Sequence, residues 1–566
     1  MKLAPLALLF GSLMVGCAPS LATNASASAA AAPTSASAAS PAAAPPELEI
    51  RITTDEKLAG SVAVELRLSP ALFARGLRFD SPRAKLGAVR AEDLDGAIAL
   101  TSETRAAATE LKATRSARGR VTLRYTVALQ GGTPGAFAVL AEATDLRVEG
   151  RDVLLVPAGA DAVPVLLELA VAAGRAEAAS TFAVGPEQRF VAKPAELAAA
   201  TLLAGDLGHA QFRANDGNDF TAWAGFTAFD ARWVAAETAG VRSAMDDYMG
   251  AEPHERRTVT SFLLIPEQRD QPNISIKLSL RGLVASVDPR ATWSAPVRLR
   301  TAQALAQRTI GGRVWIGSRD DEASGQFWSE GFSRAVAEEV LAAAGIFEPA
   351  DRAAELNTLL STLDLSPLGK APPAELKAAV DKREALRVVT ARGALVARAL
   401  GWKLSSETKG KASLKTLVRS LVARADKRDA VAFDELGEAV AGIAPGAGNV
   451  LDTLRVGGEV VIPADLLAPC YKLAHGSLAP FELGFEVEGA AEGLRVRGVV
   501  AGSAAAKAGL RDGDVLSELS YQDGRADAQV AATRVGGTTK LRFLPAGKAK
   551  PGRYFRRVAG VSESAC

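Results

Sequence analysis

Histidine is nearly absent from this chain. Among 566 residues there are three, His209, His254 and His475. No two stand four residues apart, the spacing that puts two imidazoles on one helix face, and His254-Glu255 runs on into Arg256-Arg257-Thr258. Cysteine is as scarce, with Cys17, Cys470 and Cys566. Cys470 and His475 share only a loop-like context, which excludes a thiol enzyme built on that pair. Neither sign of charge predominates: 66 basic residues face 64 acidic ones, so no basic field exists to draw in nucleic acid. No serine sits in a Gly-x-Ser-x-Gly elbow, and "PGAGNVLDTLRVGG" lacks the lysine of a phosphate loop. Asp320, Asp321 and Glu322 cluster without the spaced ligands of a calcium loop. Aromatic residues are few and alanine abounds, yet 48% of residues are hydrophobic, enough to bury real cores.

What is there begins with a targeting segment. Lys2 is the charged start, and Leu3 to Val15 form an apolar run too short to span a bilayer. Met14-Val15-Gly16-Cys17 resembles the bacterial lipobox, with 1–16 as the signal peptide and Cys17 as the lipidated residue. Plain secretion, with cleavage in the Ala/Ser tract, is the alternative. Ala18 after the cysteine, not Asp, resembles lipoproteins sent to the outer membrane if the cell is Gram-negative. Residues 17–46, rich in Ala, Ser and Pro, form a flexible tether. The expected location is the cell envelope, with a lipid anchor as the membrane partner. In that oxidising compartment Cys470 and Cys566 are left either to pair or to stay as two free thiols.

From Glu47 the pattern changes. Leu48, Ile50 and Ile52 alternate with polar residues, as do Val62, Val64, Leu66 and Leu68, and again Val121, Leu123, Tyr125, Val127 and Leu129. This period of two predicts half-buried antiparallel strands. "DVLLVP" and "VPVLLEL" predict more buried strands, so 47–195 reads as a β-rich, sandwich-like domain. "ISIKLSL" is a further strand. From 297 helices take over: "VRLRTAQALAQRTI", "SRAVAEEVLAAAG" closing on Gly345, "ARGALVARAL", and "SLKTLVRSLV" with Ser413 as N-cap.

The last stretch, 477–560, runs strand, strand, short alanine helix, then Gly-Leu-x-x-Gly-Asp, and resembles a PDZ domain. Leu483-Gly484-Phe485 is similar to the loop whose backbone N–H groups receive a peptide carboxylate while the peptide adds as a strand. Ala508-Gly509-Leu510 and Asp512-Gly513-Asp514-Val515-Leu516 resemble its second signature. The implied partners are peptide or protein C-termini. Packing within its own chain, with the groove unused, is the other reading.

Residues 326–333 read "QFWSEGFS". The segment resembles the Trp-x-x-Glu-Gly-Phe that surrounds the third zinc ligand in one branch of thermolysin-like aminopeptidases. There two histidines at i and i+4 hold the metal, a glutamate beside the first is the general base, and the third ligand follows eighteen residues later. Counting back from Glu330 puts Gln307 and Gly311 at the histidine positions and Arg308 at the base. Together with the PDZ-like end, the chain resembles the glycyl aminopeptidase family. That resemblance implies a multidomain α+β fold: a β-rich N-terminal domain, a thermolysin-like, largely helical body at 196–460, and a C-terminal PDZ domain. The family's zinc site and catalytic tyrosine are not matched. Gln307 offers a neutral amide, Arg308 cannot act as a base, Gly311 has no side chain, and Thr390, three residues before Gly393, stands where the tyrosine would be. The resemblance thus implies a pseudo-peptidase without a cofactor, binding peptides or proteins. A divergent zinc aminopeptidase and a structural part of an envelope complex are the alternatives. For Glu330 the expectation is an ion pair with Arg308 or Arg313 in place of the metal; a solvent-exposed acid at a helix start is the plainer reading.

Overall fold

A computed structural model describes residues 45–566, apart from 55–59, 82, 106–107, 130–139, 143, 173–176, 215–216, 226–227, 251–259, 267–273, 280, 318–324, 380–382, 426–430, 491–492, 522–525, 527, 538–539 and 563–564. Cys17 with its lipobox and most of the tether, His254, Asp320, Asp321 and Glu322 lie outside the described residues.

The alternating segments form strands with their apolar residues inward. Leu48, Ile50 and Ile52 are essentially inaccessible, as are Val121, Leu123 and Val127. Leu48–Thr53 pairs in parallel with Val163–Ala170 and antiparallel with Ser61–Leu68, which pairs in turn with Val121–Leu129. Two four-stranded sheets complete this part. "DVLLVP" departs from the expected strand. Gly150–Val153 is a helical turn and only Val156–Pro157 is extended. Asp152 is fully buried there and accepts hydrogen bonds from Ser81 Oγ (2.8 Å) and Arg83 Nη2 (2.6 Å); fixing that carboxylate takes precedence over strand propensity. The N-terminal sheets also take in Thr201–Gly205, beyond the boundary expected at 195. This strand is buried on both faces and pairs with Leu146–Glu149 and Glu177–Ser180.

The body opens on a five-stranded mixed sheet. Gly217–Ala224, Thr260–Pro266 and Gly282–Val287 run parallel, flanked by Leu207–Ala214 at one edge and Ile274–Ser279 at the other. Helices α1 (Ala231–Met249) and α2 (Ala295–Gln307) pack on the sheet, and α3 (Ser333–Ala343), α4 (Pro349–Leu365) and α5 (Arg383–Glu407) join them through helix–helix contacts. Helix α1 starts on Asp230, whose Oδ1 accepts from the N–H groups of Arg232 and Trp233, and stops at Gly250 with φ +70°. Helix α3 leads to Gly345 at φ +68°, the glycine stop expected from the sequence. A single apolar core joins the sheet to these helices and includes Trp328 and Phe332.

At the C-terminal end, Tyr471–Leu478 and Lys550–Arg557 form a two-stranded antiparallel ribbon laid on α4. Asn357 Nδ2 donates to the Phe555 carbonyl (3.0 Å), and Phe555 N–H donates to Asn357 Oδ1 (2.5 Å). Arg553 grips Asp364 through Nε and Nη2. A disulfide joins Cys470 to Cys566. Between the ribbon strands lies a five-stranded antiparallel sheet, in chain order from Glu486–Ala490 to Lys540–Phe543. It carries one helical turn, Ala504–Lys507, capped by Ser503 Oγ, and its own small core around Phe485, Val496, Leu516 and Val530.

Candidate functional site

Helix α2 presents Gln303 and Gln307 on one face, four residues apart. Opposite them is the segment Phe327–Phe332, which is wound as a π-helix. Such widened turns place an extra residue in the helix and are frequent at functional sites. Two aromatic anchors hold it. Trp328 and Phe332 are fully buried, and Trp328 Nε1 donates to the Val314 carbonyl at 2.8 Å. Gly331 lies against α5: a Cβ there would come within 2.6 Å of Gly393 Cα. The glycine pair lets the two backbones approach, and the approach sets the position of the neighbouring Glu330.

Glu330 is half-buried. Gln303 Nε2 donates to its Oε2 at 3.0 Å and to its main-chain carbonyl at 3.1 Å, and the side chain of Gln307 adds another hydrogen bond. Burial pushes the Glu330 carboxyl above its ordinary range, against the hydrogen bond from Gln307 and the charge of Arg334. Arg334 is itself held by Glu355, with Nη2 to Oε2 at 2.9 Å.

Three expectations are corrected here. The i, i+4 pair facing the carboxylate is Gln303 and Gln307, not Gln307 and Gly311, because α2 ends at Gln307 and the chain turns away. Gly311 sits in that turn at φ +97°, packed so that a Cβ would lie 2.5 Å from Ser329 Cβ. Ala304 follows Gln303 on α2, and Arg308, expected at the base position, is the helix C-cap. The groups that meet Glu330 are thus amides in place of Arg308 or Arg313. Arg308 instead feels Arg242, Asp246 and Asp219; burial and the Arg242 charge lower its pKa, and the two carboxylates oppose this. Thr390 is half-buried on α5, one turn before Gly393. The sequence held a signal for Gln303 in the spacing of "QALAQ", which the count of eighteen residues hid.

The remaining candidates lie elsewhere. In Leu483-Gly484-Phe485, Gly484 has φ +78°, its carbonyl accepts from Val500 N–H at 2.8 Å, and Phe485 is buried in the small sheet's core. His209 stands 3.4 Å from Glu177, and His475 is on the exposed ribbon.

The Glu330 site does not fit a catalytic zinc ion. Its carboxylate is covered by N–H donors, which repel a cation, and an amide oxygen is a weak zinc ligand. Among the described residues no group of three or more His, Cys, Asp and Glu side chains is placed to hold a metal. The arrangement can store a proton. The raised folded-state pKa means that the native chain binds this proton more tightly than the unfolded one. Its contribution to stability is full below the ordinary carboxylate range, near 4.5, and is lost as pH rises through the raised value. Glu330→Gln should therefore raise the melting temperature at pH 7 but not at pH 4, as read by thermal melts at both; equal shifts would show the carboxyl unperturbed.

No known family matches the sequence, and no curated protein does. Solved structures do. An aminopeptidase N family protein from Idiomarina loihiensis superposes with a TM-score of 0.63 at 15% identity, over 89% of this chain and 96% of that one. An M1 zinc metallopeptidase from Deinococcus radiodurans gives 0.46 at 17% identity, over 74% and 93%. Yeast LTA4 hydrolase gives 0.41 at 12% identity, over 74% and 68%. The β-rich N-terminal part and the helical body described above thus share the fold of the Idiomarina loihiensis protein.

Proposed function

We propose that this chain is an envelope lipoprotein with a metallopeptidase fold and without metallopeptidase chemistry, which works by holding peptides or proteins. The observation that supports the loss of chemistry is the amide pair on Glu330. At the two positions where a zinc peptidase of this fold needs imidazoles, Gln303 and Gln307 donate to the carboxylate that would otherwise bind the metal. Ala304 supplies no base.

The holding function belongs to the C-terminal sheet, read as a PDZ domain. Its strand order, the glycine turn at Gly484 and the capped turn Ala504–Lys507 support this. The edge strand Glu486–Ala490 offers main-chain groups to a peptide C-terminus. Strand addition along that edge supplies the grip. Cys17 carries the lipid anchor.

Protein purified without chelator should contain far less than one zinc per chain by elemental analysis. One zinc per chain, removed by chelator together with aminopeptidase activity, would establish a divergent enzyme instead. Peptides with free C-termini should bind the mature chain and their amidated forms should bind at least tenfold more weakly; no difference favours a structural part of an envelope complex.

A further inference from the structure

The near balance of charge over the whole chain conceals a local excess. Between Asp527 and Glu563 there are eight basic residues and no acidic one, and between Asp465 and Glu482 there are Lys472 and His475 and again no acid. These two stretches contain both strands of the ribbon, Tyr471–Leu478 and Lys550–Arg557. We infer that the outer face of this ribbon docks on an anionic lipid surface.

The register decides which cations share that face. Lys472 pairs with Arg556, Ala474 with Tyr554, Gly476 with Gly552 and Leu478 with Lys550, so these residues lie on one side of the ribbon. The opposite side carries Leu473 and Phe555, which pack on the core of the body. Like charges directly opposite one another on a ladder are destabilising, and Lys472 and Arg556 are such a pair. Elsewhere in the acid-free stretch, cations are neutralised from other strands and helices: Arg534 by Asp514, Lys540 by Glu518 and Arg553 by Asp364. Lys472, Lys550 and Arg556, with Lys548 just before the second strand, are exposed and form no ion pair with any described residue. The counter-charge for this face therefore comes from outside the chain.

Spacing selects the kind of partner. Arg556 and Lys550 stand at opposite ends of one strand, about 20 Å apart at the usual rise per residue. A small anion cannot meet both ends, whereas an array of charges can. No charge lies on this face between them. The Tyr554 ring lies over Gly476, where a Cβ would come within 2.8 Å of its Cε1, and Leu478 lies over Gly552, where a Cβ would come within 2.8 Å of its Cδ1. A ring with a polar tip and an aliphatic side chain, flanked by cations, suit the boundary between headgroups and hydrocarbon. A nucleic-acid backbone would leave the pair unused. The lipid anchor proposed at Cys17 supplies nearness, and a tethered body meets its own membrane at high effective concentration. In that respect the inference rests on the envelope reading.

The test uses the mature chain without acyl groups, beginning at Ala18, and co-sedimentation with vesicles at low salt. Vesicles of phosphatidylglycerol and phosphatidylcholine in equal parts should bind it at least tenfold more tightly than phosphatidylcholine alone, and high salt should erase the difference. Lys472→Gln with Arg556→Gln should weaken binding to the anionic vesicles by about tenfold or more, since each basic residue near such a surface contributes roughly a factor of five. The same exchange at Lys85 and Lys112, exposed lysines of the N-terminal sheets, should change it little. Equal losses from the two pairs would mean that net charge alone acts, and would overturn the ribbon as the docking face. Equal binding to both kinds of vesicle, or binding to neither, would overturn the lipid surface as partner, as would duplex DNA that binds more tightly than the anionic vesicles. The vesicle comparison is made on the unaltered sequence, so it does not depend on how a variant folds. Because that protein carries no acyl chain, a failure of this face and a failure of lipidation at Cys17 are separate results.

Discussion

Replacing three residues together, Gln303→His, Ala304→Glu and Gln307→His, should let the chain bind one zinc per molecule at this site, with Glu330 as the third ligand. The geometry for this is already present. Gln303 and Gln307 are four apart on α2 and both reach Glu330, and imidazoles there would place nitrogen donors around the same carboxylate. At free zinc one hundred times the dissociation constant, binding alone would stabilise the fold by about 2.7 kcal/mol. Elemental analysis and a zinc-dependent rise in melting temperature read both effects. The alternative set, Gln307→His, Arg308→Glu and Gly311→His, should bind no zinc and should lose stability. Gly311 has a positive φ, and its missing Cβ faces Ser329 at 2.5 Å. If the second set binds the metal and the first, properly folded, does not, the register drawn from the structure is wrong.

The second large effect is expected behind the site. Glu338 on α3 is fully buried between Arg352, whose Nε lies 3.0 Å from Oε1, and Arg398, which contacts Oε2. Arg398 is itself 4% exposed. Glu338→Ala would leave that guanidinium without its counter-charge inside the helical core, and breaking a buried pair in this way costs about 3–5 kcal/mol. Urea unfolding gives the number directly. A loss below about 1 kcal/mol, the range of exposed pairs, would mean that water or another carboxylate takes over. Removing both partners is a separate experiment with a smaller expected loss, since the double change buries no orphan.

How much of this was legible beforehand differs from element to element. Strands such as Leu48–Thr53 and Val121–Leu129 were plain because one face is wet and the other dry, and composition records that contrast. The turn at Gly150–Val153 was not, because Asp152 is held by Arg83 and Ser81 from far along the chain, and local pattern carries no trace of such partners. Glu330 was found from its flanking aromatics. A residue count misplaces its partners by one helical turn, because α2 stops at Gln307 and the chain turns away there. A residue count assumes a connection of fixed length. The i, i+4 spacing of the two glutamines, which geometry does fix, was the better guide.

The ribbon on α4 has a consequence for how this molecule came to be assembled and how it can be taken apart. Its two strands belong to the body through Asn357 and Asp364, while the small sheet enters after one strand and leaves before the other, closed at its neck by the Glu482 N–H to Pro545 carbonyl bond and the Gly547 N–H to Pro480 carbonyl bond. The small sheet is thus an insertion at the tip of a hairpin. Cutting the chain before Tyr471 would strip a covering from α4 and injure the core beneath it, whereas looping out Glu482 to Pro545 with a short turn would leave that covering in place. A lineage could gain, exchange or discard this module without rebuilding the scaffold that carries it.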